Sequence, residues 1–165
     1  MSTAGSSVDE RRGEVDGTGR RVALIVARFN HHVTDRLRSG AHDALLEHGV
    51  AAGDVSTIWV PGAWELPQTA QQAVRSGGFD AVITLGCVIR GETPHFDYVC
   101  QEASLGLGAV ARDAGIPVVF GVLTTDDEPQ AMARAADGKD NKGYETAMAA
   151  LEMISVYASL EATGR

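Results

Sequence analysis

Four short runs of almost unbroken apolar residues punctuate the chain: VALIVA (22–27), VSTIWV (55–60), AVITLGCVI (81–89) and VVFGVL (118–123). A strand with one wet face alternates apolar and polar residues, whereas a strand covered on both faces has no polar side to show. These Val- and Ile-rich runs therefore predict a parallel sheet with helices packed on both sides. Between the runs the apolar spacing lengthens to that of a helix. Val33, Leu37, Ala41, Ala44 and Leu45 form one stripe, with Thr34 as the expected cap and Gly49 as the stop. Leu66, Ala70, Ala73 and Val74 form a second, closed by Gly77-Gly78. Val99, Ala103, Leu107, Val110 and Ala114 form a third, ended by Gly115 and Pro117. A short helix is expected at about 128–136, and a last one from 144 to about 159 with Ala147, Leu151, Ile154 and Ala158 inward.

Strands alternating with helices predict a three-layer α/β/α sandwich around a four-stranded parallel sheet, a flavodoxin-like arrangement. Right-handed crossovers bring every strand-to-helix loop to one edge of such a sheet, where these folds bind ligands. The chemically unusual stretches all fall there: RFNHH (28–32), PGAWE (61–65), RGETPHFD (90–97) and TTDDEP (124–129).

Length and charge narrow the picture. A chain of 165 residues with 44% hydrophobic content suits a single well-buried domain, here 21–165. Residues 1–20 carry mainly Gly, Ser, Thr and charge, which reads as a flexible arm or as a segment that orders against another subunit. With 14 Lys+Arg against 22 Asp+Glu the formal charge is −8, and no basic, aromatic-interleaved stripe offsets it. Nucleic acid is not an expected partner. The opening residues lack the apolar stretch of a signal peptide and no later run reaches membrane length, so a cytoplasmic protein with no membrane contact is expected. Cys87 and Cys100 are not in a CxxC spacing and are expected as free thiols. His31, His32, His42 and His48 show no ligand spacing with Asp, Glu or Cys, so no metal is expected.

Each rim loop has an ordinary reading and a chemical one. Phe29 and Trp64 could be core aromatics, or a stacking face for a planar ligand just past a strand end. Gly91, Glu92 and Thr93 before a helix offer N–H groups and a hydroxyl to a phosphate, although Gly-Thr pairs are common in loops. His95 could cap or pack; beside an anion cradle its imidazole could also relay protons near neutral pH. Arg134, Lys139 and Lys142 form the late basic cluster, which solvated surface charge would also explain.

Taken together and in order, ARFN, WVPGAWELP, LGCVIRGETPHFDYV, FGVLTT and QAMARAADGKDNKG resemble the 6,7-dimethyl-8-ribityllumazine synthase family over about residues 17–157. The resemblance implies a condensation of 5-amino-6-(D-ribitylamino)uracil with 3,4-dihydroxy-2-butanone 4-phosphate, releasing phosphate and water, without a cofactor. It implies that Phe29 stacks on the pyrimidine beside Asn30, and that Gly62, Ala63, Trp64 and Glu65 bind the ring and ribityl chain. Val88 and Ile89 match positions whose backbone holds the dione edge. Gly91, Glu92 and Thr93 match a phosphate loop, and His95 the proton-transfer residue. Phe120, Arg134 and Lys142 match residues reaching in from a neighbouring subunit, with Arg134 as the main phosphate partner and Lys142 beside it.

The resemblance further implies a pentamer, with GEVD (13–16) available to add as a strand to a neighbour's sheet. The short DGKDNKG turn (137–143) is similar to that of members that pack pentamers into an icosahedral shell. Two features depart from the usual pattern: Trp64 stands where Phe is commoner, and Pro94 stiffens the loop before His95. A nucleotide-binding or receiver module would want hydroxyls or acids after the first strand, where this chain has Arg28-Phe29-Asn30. A non-catalytic flavin-binding or shell-forming paralogue of the same fold would be expected to lack His95, Arg134 or Phe29, and all are present.

Overall fold

The computed structural model describes residues 8–164. Its sheet has four parallel strands, β1 (Val22–Ala27), β2 (Val55–Val60), β3 (Ala81–Ile89) and β4 (Val118–Thr125), in the order β2-β1-β3-β4. Five helices accompany them: α1 (His31–Glu47), α2 (Leu66–Ser76), α3 (His95–Asp113), α4 (Glu128–Arg134) and α5 (Lys142–Glu161). The three-layer sandwich read from the sequence is the fold.

The period-two geometry of a strand distributes β1 between two cores. Val22, Leu24 and Val26 face α1, α4 and α5, while Ala23, Ile25 and Ala27 face α2 and α3. All six are at most 1% exposed. Fully burying a branched aliphatic contributes about 1.5–3 kcal/mol, so β1 and β3 anchor the fold. Thr84, fully buried in β3, satisfies its hydroxyl by donating to the Val119 carbonyl at 2.8 Å.

Three expectations are corrected. Coverage on both faces holds for β1 and most of β3; β2 and β4 are edge strands, leaving Trp59 40% and Phe120 47% exposed. Thr34 is not the cap of α1. That helix starts four residues earlier, with Asn30 as its N-cap, and Thr34 is buried inside the first turns. Helix α3 begins at His95, directly after the Gly91-Glu92-Thr93 loop as expected, with Pro94 (φ −68) as its N-cap. Ala158 is exposed, since the last turns of α5 run past the core.

Of the expected arm, residues 1–7 lie outside the described part. Residues 8–16 form neither helix nor strand, and GEVD lies along α5 of its own chain. The Glu14 N–H donates to Ser155 Oγ at 3.0 Å, and Arg11 Nη1 donates to the Ser159 carbonyl at 3.0 Å. No described helix is long and apolar enough to cross a membrane.

Candidate functional site

The strand order reverses between β1 and β3: the chain leaves β1 for β2 on one side and reaches β3 on the other. Loops leaving adjacent strands at such a point diverge, and a crevice opens beyond the carboxyl ends. Here that crevice is a cleft of about 380 Å³ lined by Phe29, Asn30, Gly62, Ala63, Trp64, Glu65, Cys87, Val88, Ile89, His95 and Val99.

Each loop meets a local requirement that its residues fulfil. Asn30 takes the left-handed conformation (φ 60, ψ 46), which asparagine tolerates better than most residues. Its amide donates to the Cys87 carbonyl at 2.8 Å, joining the ends of β1 and β3 across the crevice and leaving Oδ1 as its remaining acceptor. Gly62 lets the Phe29 ring approach closely, because a Cβ there would lie 2.5 Å from the ring. The Gly62 N–H donates to Glu65 Oε2 at 2.9 Å, a reciprocal cap that holds the 3-10 turn Ala63–Glu65. The same geometry leaves Phe29 62% and Trp64 50% exposed. They are therefore wall residues of the cleft and not core aromatics.

Burial first, and the nearby Glu128 carboxylate second, push the Cys87 thiol up to about 11. At neutral pH it is a protonated, apolar part of the wall rather than a nucleophile. The more open Cys100 is also raised, mainly by burial; both cysteines are free.

Not every sequence-derived candidate reaches this cleft. Gly91, Glu92 and Thr93 form an exposed loop just before α3 and are not part of its wall. Phe120, Arg134 and Lys142 come together elsewhere, in a second cleft of about 240 Å³ along the open flank of β4, with Gly121, Val122, Leu123, Thr124 and Thr146. Arg134 Nη1 donates to the Gln130 carbonyl at 3.3 Å and has no carboxylate partner among the described residues. Lys142 pairs with Glu145 at 2.6 Å.

This second cleft rests on Asn141, which is 2% exposed. Its Oδ1 accepts from the N–H groups of Gly143 and Tyr144 at 2.8 and 3.2 Å, capping α5. Its Nδ2 donates to the carbonyls of Arg36 and Ala135, both at 3.2 Å. Gly143 brings α5 against α1, since a Cβ there would collide with the Leu37 backbone. Helix α5 starts at Lys142 for these reasons.

Sequence reasoning missed Cys87 and Val99 in the first wall. Val99 lies one helical turn after His95, a spacing that could have found it. A wider groove of about 590 Å³ adjoins the cleft, shares Trp64, His95 and Val99 with it, and continues along Tyr98, Gln101, Glu102 and Leu105. Among the described residues no group of three or more His, Cys, Asp or Glu is gathered to hold a metal ion.

The walls thus separate two chemistries, exposed rings with backbone groups and an imidazole in one, and two cations beside a phenylalanine in the other. A family model described as 6,7-dimethyl-8-ribityllumazine synthase matches residues 19–158, which take in every element from β1 to α4, most of α5 and all the residues of both clefts. With that match over most of its length, the chain belongs to the lumazine synthase family, transferase-type enzymes of riboflavin biosynthesis.

Proposed function

We propose that the protein condenses 5-amino-6-(D-ribitylamino)uracil with 3,4-dihydroxy-2-butanone 4-phosphate to give 6,7-dimethyl-8-ribityllumazine, phosphate and water. The observation that carries this reading is the first cleft, where Phe29, Gly62 to Glu65, Val88, Ile89 and His95 share one wall at the switch point of the sheet. A planar pyrimidine stacks on the exposed Phe29 ring. Polar edges of the ring and the ribityl hydroxyls meet Asn30 Oδ1, Glu65 and the backbone around Gly62, Ala63, Trp64, Val88 and Ile89.

The reaction sets the roles of the rest. The amine attacks the ketone and an imine forms with loss of one water, phosphate leaves by elimination, and the ring closes with loss of a second water; every step moves a proton, which His95 relays. Reactants of this kind need orientation more than activation, so holding them together supplies most of the rate. A guanidinium binds a phosphate dianion through paired, charge-assisted hydrogen bonds and favours its departure. Arg134 takes this role, assisted by Lys142, with Gly91, Glu92 and Thr93 contributing at the start of α3. No cofactor or metal takes part.

In one chain the cations line a cleft apart from His95. The working site therefore forms between subunits, with Phe120, Arg134 and Lys142 of one completing the His95 cleft of the next. A pentamer satisfies this geometry, and the uninserted turn at 137–143 favours pentamers packed into a closed shell. In that assembly 13–16 adds to a neighbour's sheet edge, exchanging its seat on α5 for strand pairing.

Mixing the purified protein with both substrates and following lumazine fluorescence tests the activity: a rate well above the uncatalysed reaction is expected, and a rate equal to it overturns the reading. Light scattering coupled to size exclusion tests the assembly. A species the size of one chain would contradict both oligomeric claims; one five times larger would contradict the shell alone.

A further inference from the structure

Arg90, the first residue after β3, makes side-chain contacts that the proposed chemistry does not use. Its Nε donates to Asp126 Oδ1 at 3.2 Å, its Nη1 lies 3.6 Å from Asp97 Oδ1, and its Cζ stands 4.3 Å from the centre of the Phe96 ring. Its backbone N–H donates to the Thr125 carbonyl at 2.9 Å. Phe96 and Asp97 are the two residues that follow His95 in the first turn of α3, while Asp126 belongs to the loop between β4 and α4. One guanidinium therefore ties the turn that carries His95 to the far side of the rim.

The chemistry of this side chain suits the task. A planar guanidinium can stack on an aromatic face while its edge meets two carboxylates, which a lysine cannot reproduce. The loop it spans needs such a tie. Residues 90–95 are exposed, and Gly91 has open space around it, so little packing restrains the approach to α3. Asp126 is itself held, because its N–H donates to Gln130 Oε1 at 2.9 Å.

We propose that Arg90 is a positioning residue for His95, setting where the imidazole stands in the cleft without touching substrate. The inference rests on His95 being the proton relay, and its test separates the two ideas. In Arg90→Ala, kcat for lumazine formation should fall roughly five- to fiftyfold while KM for the pyrimidine stays within about twofold, as expected when a reacting group is displaced but binding surfaces remain. Arg90→Lys should recover only part of the loss, and Asp126→Asn should reproduce the signature more weakly.

The direct readout is NMR of the His95 ring in protein labelled at histidine. Its resonances should shift or broaden in Arg90→Ala and in Asp126→Asn at unchanged thermal stability, and the double variant should go little beyond Arg90→Ala alone. Unmoved His95 resonances in both single variants would overturn the positioning role, as would full rescue of kcat by lysine. Wild-type protein without lumazine formation would instead overturn the catalytic reading, while the NMR comparison would still decide whether Arg90 sets the ring.

Discussion

The cleft beneath Trp64 and the cleft beneath Phe120 are made of different material. The first lies across the ends of three strands and is assembled from turns, each with its own device: Asn30 in the left-handed region, Gly62 against the Phe29 ring of the neighbouring loop, Glu65 bonded back to the Gly62 N–H. The second runs along the flank of an edge strand, and its cations stand on two helices joined through one buried side chain, Asn141. Several independent interactions, within single turns and between neighbouring loops, shape the one; a single buried side chain joins the parts of the other. Chemistry divides the same way, with rings and an imidazole on the first side and guanidinium and ammonium on the second. In the proposed assembly, contact between subunits reunites what the chain keeps apart.

The largest expected effects test that division. His95→Ala should lower the rate of lumazine formation by about ten- to a thousandfold with little change in pyrimidine binding. Mixing it with impaired Arg134→Ala subunits, after dissociation and reassembly, should restore up to about a quarter of the sites, since each site draws on two neighbours in a ring. No recovery, with mixed assemblies verified by mass, would place both residues' roles within one chain.

Arg134→Ala alone should cost roughly 2–4 kcal/mol in transition-state binding and weaken the butanone phosphate more than the pyrimidine. Lys142→Ala should show the same pattern more mildly. Steady-state kinetics with each substrate varied in turn checks both, and equal shifts in the two KM values would remove Arg134 from the phosphate site.

Stability should follow the two constructions. Asn141→Ala strands two N–H groups and two carbonyls and should destabilise the protein by roughly 2–4 kcal/mol. Asn30→Ala loses one interstrand bond and keeps an unfavourable backbone conformation, for a cost of roughly 1–2 kcal/mol. Urea unfolding of the two variants ranks them, and a reversed order would deny that the second cleft hangs on one junction.

The smallest effect has the opposite sign. Thr34 buries a hydroxyl with no hydrogen-bond partner among the described residues. Thr34→Val keeps the shape and removes the unpaired group, so it should raise stability by up to about 1 kcal/mol, read as a Tm increase of a few degrees.

Much of this was legible in the sequence, for an identifiable reason. Strand β1 and most of β3 are covered on both faces, which forces continuous apolar runs whose ends coincide with the observed ones. Helix spacing, glycine stops and the rim position of the unusual loops follow from equally local rules. The grouping of Phe29, Gly62 to Glu65 and His95 was legible as well, because a parallel α/β sheet delivers every strand-to-helix loop to one edge, while Val88 and Ile89 at the end of β3 were named only by the family resemblance. Tertiary structure decided the rest. Whether Phe29 and Trp64 were core or wall depended on the strand order, which composition does not encode. Asn141 looked like one more polar turn residue until Arg36, 105 positions away, supplied a carbonyl. Thr34 looked like a cap because cap preference concerns one residue and its neighbours, whereas the N-cap is Asn30, whose side chain bonds the Cys87 carbonyl across the crevice rather than the helix. Apolar patterning reports how each residue meets water; only the folded chain establishes which distant groups must satisfy one another.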